Sequence, residues 1–518
     1  MKFPFRTKAL ASAAALCLAL ALAGCSAGSM KTVSEVTGNS TFQNAAVPSA
    51  SPDTSTASAK DVIEDTHFDA DDLHWDASAE TTLALADSGS TAAGENAKEV
   101  SVSGGTVSIN AAGTYRVSGT LGDGQLVVDA PKDALVRIIL DGAHITSSTG
   151  PVILAAQANE VLLYLEEGTG NSASDAPSYA DTAADAPNAA IYSMADLTIA
   201  GRGELSVEGN HQDGIASADG LVLDSGQVTV AAADDGVKGR DYVLVLGGNY
   251  TVTAAGDGIK STNDASEDSG WLHQYAGQLT VSVGDHGLKA ETALRISGGT
   301  AVVSDSTEAL EAAIIDISGG TVNATADDDG LNASIAGGGA QQAGDFHLEI
   351  SGGAVTVNAE GDGLDSNGGI AISGGQIVVN GPTGAGNGAI DANGEMTITG
   401  GVLAAAGSGS MAQGPSGSST QGGLQVPLGS AVPAGTVIQI ADSAGTLLAT
   451  FVTSKPTENL VYSSKDIVYG RSYTISTGGS AEVAAGLGAG QLDGAKPVAT
   501  VTAGQNSSAL GGPRARWP

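Results

Sequence analysis

The chain has 518 residues, of which 74 are glycine, 2 are cysteine and 4% are aromatic, with 42% hydrophobic residues and a net charge of −36. That charge repels phosphate backbones and anionic headgroups, because nucleic-acid binding rests on counterion release by Lys and Arg; nucleic acid is excluded as a partner and cations are favoured. A core can form, but from Ala, Val, Leu and Ile rather than from rings.

At the start, Lys2, Arg6 and Lys8 precede an apolar run over 9–23 that closes on Leu22-Ala23-Gly24-Cys25. This pattern predicts a lipoprotein signal and lipobox over 1–25, with Cys25 taking the lipid. Cys17 would be removed with the leader, so no disulfide is left to staple the exported part. The expected location is the bacterial cell envelope, lipid-anchored and extracellular, with a monomer touching the membrane only through Cys25. Residues 26–80, rich in Ser, Thr, Ala and Pro, are expected to be a flexible tether. In it, Asp69, Asp71 and Asp72 fail the EF-hand spacing and are assigned as solvated charges.

The span 81–406 repeats itself. The segments LDSGQVTVAAADDGVKG (223–239), LGGNYTVTAAGDGIKSTN (246–263), ISGGTVNATADDDGLNAS (317–334) and ISGGAVTVNAEGDGLDSN (350–367) align without gaps from the last glycine of each opening. Gly226, Gly248, Gly277, Gly299, Gly320, Gly353, Gly375 and Gly401 set the phase, most often at about 22 residues. A unit this short has no room for a helical hairpin and lacks a leucine-rich consensus. It contains three strand-like pieces, such as 321–324, 331–334 and 347–350, separated by Gly or Asp turns. Three strands per unit predict an all-β fold, a parallel β-helix (solenoid) of about 22-residue coils, with equivalent side chains stacked from coil to coil. Residues 407–423 are expected to be a Gly/Ser linker, 424–480 a small C-terminal β-module or cap, and 481–518 a low-complexity tail.

The runs AGTYRVSGTL (112–121), VRIILDGAHI (136–145) and NAAIYSMADLTIAGRGELSV (188–207), the repeated DG-I/L-K units and the tail motif VYSSKDIVYGRSYTISTGG (461–479) resemble a bacterial family of cell-surface carbohydrate-binding proteins. The resemblance implies a polysaccharide-lyase-like right-handed β-helix with bound calcium and a polysaccharide ligand.

Nine residues after each of the first six phasing glycines stands a column that is acidic at all but one place. Its members are Asp235, Asp257, His286, Glu308, Asp329 and Asp362, with Asp213 one place out of step. Coils stack about 4.8 Å apart, so neighbouring carboxylates repel by roughly 3 to 4 kcal/mol at an effective dielectric near 20. Three residues further on, the column reads Lys238, Lys260, Lys289, Glu311, Asn332 and Asp365, with Asp391 at the matching place in the next coil. The first half carries its own counter-charge. The second half accumulates Glu308, Glu311, Asp327, Asp328, Asp329, Asn332, Asp362, Asp365 and Asp391, a set of oxygen ligands suited to calcium, and Asp235 and Asp257 of the first half are candidate calcium ligands with them. Asp-Gly is also ordinary turn chemistry, the glycine taking positive φ.

The lysines have three readings: charge balance, a row of cations for acidic sugars, or the base of a calcium-dependent pectate-type lyase. In the insertion 261–277, Trp271, His273 and Tyr275 alternate. They are expected either as an added edge strand capping the core or, for Trp271 and Tyr275, as sugar-stacking rings. Three functions remain open: polysaccharide binding without cleavage, with acidic polymers or neutral glucans as ligand; lyase activity; and an adhesin or spacer. No catalytic residue is assigned to the binding reading.

Overall fold

In a computed structural model of the protein the described residues are 62–504, except 182, 184, 185, 267 and 336–345. The leader, Cys25 and the tether up to residue 61 lie outside them, as does the tail from 505.

Short runs of alternating small apolar and polar residues become strands, and each strand pairs in parallel with its equivalent one coil away. Asn249–Ala254 lies between Gln227–Ala232 and Gln278–Val283, which brings Val228, Tyr250 and Leu279 into file. The file continues through Ala301, Val322, Val355, Ile377 and Leu403, all buried in one continuous core. A coil has three strands, for example Val237–Gly239, Tyr242–Val245 and Asn249–Ala254. Among the described residues the first kind forms a 13-stranded sheet and the other two merge into a 26-stranded one. The molecule is all-β with long parallel sheets, a solenoid.

The phasing glycines have a backbone cause. All eight, from Gly226 to Gly401, adopt φ between +73° and +100°, a region that side chains other than glycine's reach only with strain. At Gly277 a Cβ would also stand 2.6 Å from the Gly247 carbonyl oxygen of the preceding coil. The Asp-Gly glycines differ from expectation: Gly236, Gly258, Gly330 and Gly363 do not take positive φ. There a Cβ would run into a core valine, Val252 for Gly236 and Val357 for Gly330. Close packing rather than turn geometry selects glycine at those positions.

Both ends of the solenoid are closed by antiparallel pairing, which removes the open edges that would template association. At the first end Thr81–Leu85 pairs with Thr91–Gly94 and Val100–Ser103 with Thr106–Ile109. At the other, Thr457–Ser463 pairs antiparallel with the last coil strand, Val402–Gly407, and with Gly423–Val432. A six-stranded antiparallel sheet follows, whose Ile438, Phe451 and Tyr473 pack against Val378, Ala404 and Ala406 on the outside of the last coils.

Four expectations about segments change. Residues 62–80 are folded against the solenoid: Asp69 caps Ala70–Leu73, Asp72 pairs with Arg137 at 2.8 Å, and His67 is buried against Tyr242. Val62, Ile63 and Phe68 cover the outer patch of Val222 and Leu244, which would otherwise face water. Residues 408–422 contain no strand but are packed, burying Ser408, Ser419 and Gln421 and completing backbone bonds of the last coil, as where Ile398 N–H donates to Ser419 Oγ at 3.0 Å. The described part of the tail supplies Leu487–Gln491 and Lys496–Thr502 to the terminal sheet. Trp271–Gln274 is an interior strand between Tyr242–Val245 and Ala293–Ile296 rather than an added edge; the extra residues form the loop before it.

Candidate functional site

On the 13-stranded sheet, Val237, Ile259 and Leu288 point into the core, so the residues next to them point outward. Parallel register then makes one file of Lys238, Lys260, Lys289, Glu311, Asn332, Asp365 and Asp391. Beside it runs the acid file, wired through the backbone. Asp213 Oδ1 accepts the N–H of Asp235 at 3.3 Å, Asp235 Oδ1 that of Asp257 at 3.1 Å, and Asp257 Oδ1 that of His286 at 3.0 Å. The pattern resumes where Asp329 Oδ1 accepts Asp362 N–H at 2.6 Å and Asp362 Oδ1 accepts Gly388 N–H. A carboxylate that satisfies the next coil's amide explains why acids recur at this turn.

In the first half Lys238 and Lys260 are each clamped between acids of successive coils, whereas Lys289 lies between His286 of its own coil and Glu311 of the next. Lys238 contacts Asp213, and lies 3.8 Å from Asp235; Lys260 reaches Asp257 Oδ2 at 3.0 Å and Asp235 Oδ2 at 2.5 Å. Burial alone would lower the Lys260 pKa, but Asp257 and Asp235 together hold it above its ordinary value. Asp213, fully buried, is raised by that burial against the pull of Lys238. Asp213 and Asp235 therefore take their nearest lysine from the following coil, while Asp257 keeps that of its own.

His286 sits where the sign changes. Its Nδ1 is 2.7 Å from Asp257 Oδ1 and its Nε2 is 3.1 Å from Glu311 Oε2, which Lys289 also reaches at 2.9 Å. Burial lowers the imidazole pKa, yet the hydrogen bond and charge of Asp257 outweigh it and the net shift is upward. The column spacing identifies His286 but not this bridging contact, which needs the fold.

Beyond it the carboxylates crowd. Oxygens of Asp362, Asp365 and Asp391 come within 4.8 Å of one another, and ligand atoms of His286, Glu308 and Glu311 form a second such group. Burial is the largest cause raising each pKa: Glu308 to about 7 with help from Glu311, Asp329 to about 6 with help from Asp328 and Asp391, Asp362 to about 7 and Asp365 to about 8, these two pushed further by Asp329 and Asp391. Asn332 donates to Glu308 Oε2 at 3.0 Å while its own Oδ1 is buried without a hydrogen-bond partner. Asp391 is contacted by Gln413 from the 408–422 segment, a partner outside the repeat that periodicity cannot reveal. Asp328 is exposed at the rim and adds its charge to Asp329 and Asp362. An orphaned buried oxygen beside several repelling carboxylates is a donor set that fits a hard, oxygen-ligated divalent cation.

The ring residues lie elsewhere. Trp271 stacks on Tyr242 at 4.8 Å and 10°, and Tyr275 packs edge-on to His273. Trp271 belongs to the 26-stranded sheet and the lysines to the 13-stranded one, so the two sets do not form one surface.

Residues 103–343 match the family model described as carbohydrate-binding domain-containing protein. A protein of that description from Acetivibrio thermocellus is 38% identical over 140 residues, 27% of this chain. The chain spans about half the length, 49%, of that curated relative. A solved structure described as the polysaccharide lyase-like protein from C. thermocellum, gadolinium derivative, is 31% identical with a TM-score of 0.44, covering 47% of this chain and 96% of that one.

Proposed function

We propose that the chain is an exported, lipid-anchored protein that binds polysaccharide, without cleaving it, on a right-handed parallel β-helix stabilised by calcium. The observation that carries the reading is the cluster of Asp329, Asp362, Asp365 and Asp391 from the two adjacent files with the unpartnered Asn332 oxygen, next to a family match over 103–343. Asp329, Asp362, Asp365 and Asp391, with Asn332, Glu308 and Glu311 at the near end, would hold the ion. Bound there, calcium would neutralise these carboxylates and supply a Lewis-acidic contact for sugar hydroxyls and carboxylates. Acidic, pectin-like chains suit that chemistry better than neutral glucans.

A lysine base has no footing in the ladder. Lys260, held protonated between two carboxylates, is a poor proton acceptor near neutral pH. The three lysines serve charge balance in this reading. The lipid anchor at Cys25 rests on the leader sequence.

The test is retention of the purified protein on insoluble polygalacturonate with calcium and with chelator, while absorbance of unsaturated product is followed in the ultraviolet. Calcium-dependent retention without product is expected. Product formation would make it a lyase, and retention unaffected by chelator on any polysaccharide, or none at all, would leave a spacer.

A further inference from the structure

The tail motif over 461–479 folds where the last coil meets the terminal sheet, and it builds a cleft of about 410 Å³. Thr399 and Thr420 line one side with Gln421; Lys465, Val468 and Tyr469 line the other. The loop that carries the second side is held by hydrogen bonds from its backbone. Ile467 N–H donates to Ser464 O at 3.0 Å, Val468 N–H to Tyr473 Oη at 2.7 Å, and Gly470 N–H to Ala503 O at 3.0 Å.

Tyr469 has its hydroxyl committed across the cleft, 2.9 Å from Ser419 O and 3.1 Å from Gln421 O, yet the residue is 44% exposed and Val468 beside it 46%. A ring fixed by its polar end and open on its apolar side is preorganised for stacking. Thr399 and Thr420 bring hydroxyls to the same cleft, and Lys465 lines it as well. Its ion pair with Asp466, at 2.9 Å, is between two exposed neighbours, an arrangement that leaves the ammonium available to an arriving anion.

We infer that this cleft is a second saccharide site, taking a mono- or disaccharide-sized unit that bears a carboxylate: the unit stacks on Tyr469, its carboxylate meets Lys465, and Thr399 and Thr420 meet its hydroxyls. The volume is in the range of small-ligand sites. The cleft lies outside residues 103–343 and away from the carboxylate file. The inference rests on reading the chain as a polysaccharide binder and names a separate place and ligand class for it.

Calorimetry of the intact chain with digalacturonate and, separately, cellobiose, in chelator so that the carboxylate file takes no part, tests it. One digalacturonate per chain is expected, with cellobiose weaker by about tenfold. Tyr469→Ala should weaken digalacturonate binding by about tenfold or more and Lys465→Gln by about threefold. Val468→Asp, a change at an exposed position that brings a repelling charge to the lip, should abolish it even if Tyr469→Ala destabilises the loop. Absence of digalacturonate binding, equal affinity in Val468→Asp, or preference for cellobiose would each overturn the inference. Calcium-dependent retention on polygalacturonate should persist in Tyr469→Ala; its loss in wild type with disaccharide binding intact would sink the calcium reading instead.

Discussion

Asp257 and His286 are 29 residues apart in sequence, and one carboxylate oxygen of Asp257 meets both the backbone N–H and the Nδ1 of His286, at 3.0 and 2.7 Å. The contact joins a half-ladder that carries its own cations to one that does not.

That junction should be pH-sensitive. The His286 pKa is raised in the folded chain, so its contribution to stability is fully present below the unfolded value near 6.5 and is lost as pH rises through the folded value. Asp257 is held below its ordinary value by His286 and Lys260 despite burial, so its contribution is present above about 3.9 and fades as pH falls below that. His286→Gln should therefore lower the melting temperature more at pH 5.5 than at pH 8.5. An equal loss at both would mean the imidazole is not charged in the fold.

The crowded acids act in the same direction as His286 and against Asp257. Carboxyls raised to about 6, 7 and 8 in Asp329, Asp362 and Asp365 bind protons that the unfolded chain has released, so the metal-free protein should lose stability from pH 5 to pH 8. Calcium should remove that loss, with about 2.7 kcal/mol of stabilisation at a hundred times its dissociation constant. Asp362→Asn with Asp365→Asn should flatten the pH dependence and weaken the calcium response. Scanning calorimetry across pH, with and without calcium, reads both; a melting temperature indifferent to calcium would remove the metal from the account.

Lys260→Met leaves Asp235 and Asp257 facing each other without their shared cation. Removing one partner of such a pair should cost about 3 kcal/mol, measured by denaturant unfolding, while the folded protein keeps its affinity for polygalacturonate. A variant of normal stability that has lost acidic-sugar binding would restore the lysines as sugar ligands.

For the scaffold, Gly277→Ala places a Cβ at φ +79° and 2.6 Å from a neighbouring carbonyl, which should destabilise by about 2 kcal/mol or more. Gly384→Ala, where a Cβ would meet nothing within 4 Å and φ is ordinary, is the matched control and should be neutral. Equal unfolding midpoints would show that the phasing glycines are not held in the left-handed region.

The repeat period was legible because in-register stacking imposes the same local demand at every coil: a left-handed glycine at Gly248 and Gly277, a core residue at Val252 and Val281, an acid whose oxygen takes the next coil's amide. The sheet type and the two charged files follow from that spacing. The covering segments were not legible. Val62, Ile63 and Phe68 carry no periodic pattern, and only the outward-facing Val222–Leu244 patch that they bury gives them a reason to fold. Gln413 reaches Asp391, and Lys465 and Tyr469 face Thr399, across gaps that no spacing rule spans. Trp271 looked like an edge addition because an insertion precedes it, whereas its strand keeps the register of Tyr242 and the insertion is confined to the loop.

By itself the sequence determined which residues recur and hence which side chains must stack, since a solenoid turns chain period into axial position. Tertiary structure alone decided which acids meet a cation already in the chain, where rings and lysines fall on different sheets, and what the non-repeating ends enclose, because those outcomes depend on contacts between segments that share no period.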